Sequence, residues 1–143
     1  MQYDLSGIPD DATILSAKMH VYCAYHNDNA AKGTTNIARV TSEWDEETCC
    51  WNNMPSWTGR YQTGDSFAPP AVDSWGVWNV TALVKEWVGV DKRYPNYGLH
   101  VVNNNEGSYR YNWIFKNHYD TKNRGTYIEI VYATGIESFS ISS

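Results

Sequence analysis

The sequence predicts an all-β fold: a jelly-roll-type antiparallel β-sandwich with one short helix. Three observations point there. Short segments of alternating polarity recur between clusters of Gly, Pro, Asn and Asp, the pattern of short strands joined by turns. Only Val80 to Val88 carries a helical period. The length of 143 residues suits one domain, and a domain of this size buries roughly 70% of its unfolded surface without help from a metal.

Taken in order, Gln2-Tyr3-Asp4-Leu5 reads as extended, and Ser6 to Asp11 as a turn or loop. Ser16 to Tyr25 alternates cleanly. Ala17, Met19, Val21 and Cys23 share one face; Lys18, His20, Tyr22 and Ala24 share the other. Period two with one apolar face is a half-buried strand. Asn27 to Thr35 is a polar loop, and Thr35 to Thr41 a further strand. Thr48 to Trp51 reads as short and extended, with Pro55 ending it. Its β-like character predicts a buried Trp51, and Asn52 and Asn53 are expected to bond nearby backbone before the proline. Met54 to Val72 is a long loop with room for one brief strand.

In the helix, Val80, Leu83, Val84, Trp87 and Val88 form one apolar stripe. Trp87 is therefore expected in the core. Asn79 or Thr81 can cap the start, and Gly89 can end it. So short a helix is marginal alone and must be held by packing over one end of the sandwich. Tyr97 to Asn103 is extended, Ser108 to Lys116 alternates, and Thr126 to Ala133 is the last strand. The domain is expected over 1–133, with the Ser-rich 134–143 a linker or edge segment.

Composition excludes several functions. The net charge of −5 argues against a nucleic-acid surface, which would be basic. No apolar run approaches the roughly 20 residues that span a bilayer. Met1 stands directly before a strand-like segment, with none of the basic and apolar regions of a secretion signal. The expectation is a domain of a longer parent chain, flanked by adjoining domains. Neither the Trp51 to Pro55 block nor Val80 to Trp87 holds a nucleophile with its base, a phosphate cradle or a metal-ligand spacing. His20, His26, His100 and His118 are scattered, and none pairs at helical spacing with a glutamate, so zinc hydrolysis is unsupported. Glu43, Asp45, Glu46 and Glu47 can offer oxygens to a structural calcium, but in the spacing of no defined loop. No other metal or cofactor is expected. Cys23, Cys49 and Cys50 are either small core residues or include one disulfide from Cys23 to its distant neighbours.

Seven Trp and eleven Tyr against three Phe favour rings that are half in and half out of solvent. In the long loop, Trp57 and Tyr61 flank Arg60. A flat exposed ring can stack on a sugar, and an arginine beside it can grip hydroxyls or a carboxylate bidentately.

Several blocks in order resemble the DNRLRE domain, a family similar to disaggregatase-related modules of surface proteins. They are Tyr3 to Pro9, Ala12-Thr13 with Ser16-Ala17, Ser42-Glu43-Trp44, Thr48 to Pro55, Val80 to Trp87, Asn96 to Leu99 and Arg124 to Ile128. Part of that family is classed among carbohydrate-binding modules, including modules attached to alginate-degrading enzymes. The resemblance implies a non-catalytic, extracellular or cell-surface module that binds polysaccharide, an acidic one such as alginate among the candidates. It also implies two further strands before Tyr3, absent here. It turns Trp113 and Phe115 inward, which leaves Arg110, Asn112 and Lys116 outside as a row suited to an acidic chain. The expected binding set is Trp57, Arg60, Tyr61, Arg110, Asn112 and Lys116, with no catalytic residue. The alternative function is a structural or adhesion spacer.

Overall fold

The computed structural model describes residues 1–26, 35–61, 71–103, 113–115 and 120–135. It is an all-β sandwich of two antiparallel sheets with one short helix. The first sheet is organised by β1 (Thr13–His26), a 14-residue strand. One side of β1 pairs with β4 (Ser74–Asn79); β7 (Tyr127–Ala133) and the short β6 (Trp113–Phe115) also pair with it. The second sheet has β2 (Thr35–Val40) between β3 (Trp57–Tyr61) and β5 (Leu99–Asn103). The brief strand expected in the long loop is β3. Strand β4 was not expected, although its burial alternates around Trp78.

The alternation read from the sequence is the alternation of β1. Ala17, Met19, Val21 and Cys23 are fully buried. The pattern then slips: Ile14 is also inside, while Leu15 is 58% exposed. A bulge explains the slip. The register against β7 jumps between Ile14 and Ser16, so one extra residue is absorbed and parity reverses.

The core lies between the sheets and under the helix. Met19, Val21, Trp78, Ile37 and Leu99 meet Leu83, Val84 and Trp87 of α1 (Thr81–Trp87). Asn79 accepts from the Thr81 backbone N–H at 3.0 Å and from its hydroxyl at 2.7 Å, which orients the first turn. The far end stops at Gly89, whose φ of +84° suits a residue without Cβ. Two backbone bonds flank the helix and hold it to β1 and the residue before it, Val80 N–H to Ala17 carbonyl at 2.9 Å and Val90 N–H to Ala12 carbonyl at 2.9 Å. Arg39 of β2 reaches Glu86 at 3.4 Å and lies over the Tyr94 ring, which ties the second sheet to the same helix.

The segment before β1 is stitched to the rest. Met1 and Leu99 exchange two backbone bonds, and the Tyr3 hydroxyl meets Thr126 Oγ1 at 2.7 Å. Burial pushes the Tyr3 phenol up to about 12, against a small opposing effect of the Thr126 bond. A folded value above the unfolded one means stability that is complete below about pH 10 and lost as pH rises towards 12. Denaturation at rising pH should show a loss of up to about 2 kcal/mol in that window. Tyr3→Phe should flatten it, starting about 1 kcal/mol lower at neutral pH.

Two expectations fail here. Trp51 is not in the core: it is 81% exposed, on a 3-10 turn over Trp51–Asn53 rather than on a strand. The cause is local bonding. Asn53 accepts from the Cys50 backbone N–H and donates to the Thr48 carbonyl at 2.8 Å, which closes a turn where a strand would have needed a partner. The cysteines are unbridged, and Cys23 alone is a core residue; Cys49 is half-buried and Cys50 exposed.

Candidate functional site

The outer face of the first sheet follows from β1. With Met19 and Val21 inside, Lys18, His20 and Tyr22 must point out. Their cross-strand partners do the same. Lys18 lies between Asn79 and Glu129, His20 between Val77 and Tyr127, and Tyr22 beside Trp75. The result is a grid with a polar row followed by two rows of rings and one aliphatic side chain. Trp75, Val77 and Tyr127 are 40%, 52% and 47% exposed.

The rings touch one another. His20 and Tyr127 stack at 4.4 Å between centroids and 6° between planes. Trp75 meets Tyr127 edge-on at 5.6 Å and Tyr22 edge-on at 5.5 Å. Such contacts hold aromatic rings in place. Beside them, the Arg124 guanidinium sits 4.9 Å from the centre of the Tyr22 ring. Asp120 holds it bidentately, with Nε to Oδ2 at 3.0 Å and Nη2 to Oδ1 at 2.8 Å. The bond from Arg124 keeps the Asp120 carboxyl far below the usual carboxylate range, so the clasp survives mild acid. Arranged this way, the face can stack on the C–H side of sugar rings and bond hydroxyls at its rim. Among the described residues it holds no nucleophile with its base.

Of the six residues expected to bind, the structure describes one side chain. Trp57 is 37% exposed and stacks on His100 at 5.4 Å and 7°. It belongs to the other sheet, paired with Val40. Arg60 and Tyr61 lie on the same strand, β3, but their side chains fall outside the description. Arg110, Asn112 and Lys116 lie outside the described residues, as do the side chains of Trp113 and Phe115. Trp75 and Tyr127 were missed. The signal for Trp75 was present: once Trp78 faces inward, strand parity sends Trp75 and Val77 outward.

A cleft of about 1200 Å³ opens between the first residues of the chain, Trp44 and the end of the helix. Its rings are half-buried or buried, and the Tyr3 hydroxyl is already bonded to Thr126. The Trp44 indole N–H is spent on the Tyr97 carbonyl at 2.7 Å, and Trp87 is 1% exposed. The acidic run beside it builds a turn. Asp45 accepts from the Glu47 backbone N–H at 2.9 Å. Among the described residues, no three of His, Cys, Asp and Glu gather as a metal-ligand set. No described helix is long and apolar enough to cross a membrane.

No curated protein matches the chain. The family model described as carbohydrate-binding module family 96 matches residues 1–130. That match takes in both sheets, the helix and most of β7, and the chain belongs to carbohydrate-binding module family 96.

Proposed function

We propose that this module binds polysaccharide without a covalent step, on the outer face of its first sheet. Trp75, Tyr127, His20 and Tyr22 supply the stacking surface. Arg124, Lys18, Glu129 and Asn79 supply polar contacts at the rim. The observation that carries the reading is the contiguous, mutually braced set of rings on the outer sheet face, with Trp75 and Tyr127 exposed and His20 and Tyr22 half-buried beside them. Protein surfaces rarely leave such rings uncovered without a partner for them. The DNRLRE resemblance extends the reading to an extracellular or cell-surface parent chain with adjoining domains. Trp57, with Arg60, Tyr61, Arg110, Asn112 and Lys116, is the rival contact set, suited to an acidic chain.

Calorimetry against a panel of polysaccharides, alginate first and neutral glucans and mannans after it, tests the proposal. Trp75→Ala and Tyr127→Ala should each weaken binding about 30-fold if each ring is a hot spot. Trp57→Ala should leave the first-sheet contribution unchanged. Binding lost with Trp57→Ala but kept in Trp75→Ala would move the site to the rival set. No binding to any member of the panel would remove the proposal, and turnover of a bound sugar would make the module an enzyme.

A further inference from the structure

We infer that Trp51 is a second polysaccharide contact, separate from the first-sheet face, and that the module therefore grips its ligand at two places. The inference rests on the carbohydrate-binding reading but on a different observation. Trp51 is the most exposed large apolar side chain in the described structure, at 81%. Among the described residues, its ring meets no other ring and its indole N–H meets no acceptor.

A naked indole on a floppy loop would be unremarkable, because it could fold back. This one is held out. The Asn53 N–H donates to the Cys50 carbonyl at 3.1 Å, and the Asn53 side chain ties both Cys50 and Thr48. Upstream, the Asp45 carbonyl accepts from the N–H groups of Thr48 and Cys49 at 3.2 and 2.8 Å. Downstream, the Ser56 N–H donates to Ser42 Oγ at 2.9 Å and the Thr41 N–H to the Ser56 carbonyl at 2.8 Å. The loop is thus closed at its base and cross-tied at its tip. Preorganisation of this kind lowers the ordering cost of binding.

The neighbour of Trp51 completes the chemistry. Asn53 spends its amide on the loop, whereas the Asn52 side chain is exposed and makes no hydrogen bond among the described residues. A ring for the C–H face of a sugar stands beside an amide that can both donate to and accept from hydroxyls. No charge is needed for that recognition, so the ligand class is the hydroxyl-rich face of a polysaccharide. The loop joins β2 to β3 in the second sheet, so it shares no strand with Trp75 or Tyr127. Two contacts on one rigid body raise the apparent affinity for a long chain, by as much as about 10²–10⁴ when both engage together.

The test uses the whole chain and the polysaccharide of the panel that wild type binds best. Trp51→Ala should weaken binding to the polymer at least about tenfold. Its thermal midpoint should stay near that of wild type, because surface changes of this kind alter stability by about 0.5 kcal/mol or less. Hexasaccharide titration should find two sites in wild type and one in Trp51→Ala. With 5-fluorotryptophan incorporated, the resonance lost in Trp51→Phe should be one that shifts when wild type binds. The inference falls alone if Trp51→Ala matches wild type in affinity and stoichiometry while Trp75→Ala and Tyr127→Ala lose binding. The first-sheet reading falls alone if only Trp51→Ala loses binding. Both fall if wild type binds nothing in the panel.

Discussion

Trp87→Ala is expected to cost about 3–5 kcal/mol, the usual range for emptying a buried aromatic position. Trp87 is 1% exposed and is among the largest fully buried side chains. It lies on the apolar stripe of α1 with Leu83 and Val84, and the stripe is what holds so short a helix to the sandwich. Removing the ring leaves a cavity that neighbouring strands cannot close, because their positions are set by sheet pairing. Against a domain stability of about 5–15 kcal/mol, the loss is about three fifths or more at the low end. Denaturant titration should show a lower midpoint, with the helix signal lost in the same transition. Trp87→Phe should be milder. It keeps most of the volume and removes an indole N–H that is buried without a partner among the described residues.

Gly98→Ala is expected to cost about 2–4 kcal/mol, through backbone strain and overlap together. Gly98 has φ +92°, and an added Cβ would run into the Met1 carbonyl oxygen, with Met1 C and Gln2 Cα at 3.0 Å. Backbone cannot swing aside as a flexible side chain does. The first residues must shift, which breaks the paired bonds between Met1 and Leu99 and strains the Asn96 side-chain bond to the Tyr3 carbonyl. Hydrogen exchange should show the Leu99 amide deprotected, while amides in the β1–β4 pairing stay protected. Gly7→Ala is the control. A Cβ there meets nothing within 4 Å, so the change should be close to neutral.

The readings that succeeded rest on local periodicity. Strand β1, the helix, β5 and β7 each carry their pattern within a few residues, and the burial of Met19, Val84 and Trp87 follows from it. The readings that failed concern features with no period. Thr48 to Trp51 contains residues that suit a strand, but among the described residues no strand pairs with them, and the Asn53 side chain closes a turn instead. Strand β4 was obscured by Gly76 in its middle and by exposed Val77 and Trp75 beside buried Trp78. The bulge at Leu15 was invisible for a similar reason. It is a property of the pairing between β1 and β7 and not of β1 alone.

The candidate site divides along the same line. The sequence by itself determined that His20 and Tyr22 point away from the core, because the pleat sends successive side chains to opposite faces. It offered Trp57 as a candidate exposed ring, and the structure leaves it 37% exposed. Only the tertiary structure decided that His20 lies between Val77 and Tyr127, that Trp75 completes the ring set, and that Arg124 arrives beside Tyr22 in the grasp of Asp120. The physical reason is one of range. Which face a side chain takes is settled by its own strand. Which rings become neighbours is settled by cross-strand register between residues more than fifty positions apart, and that register is chosen by the packing of the whole core.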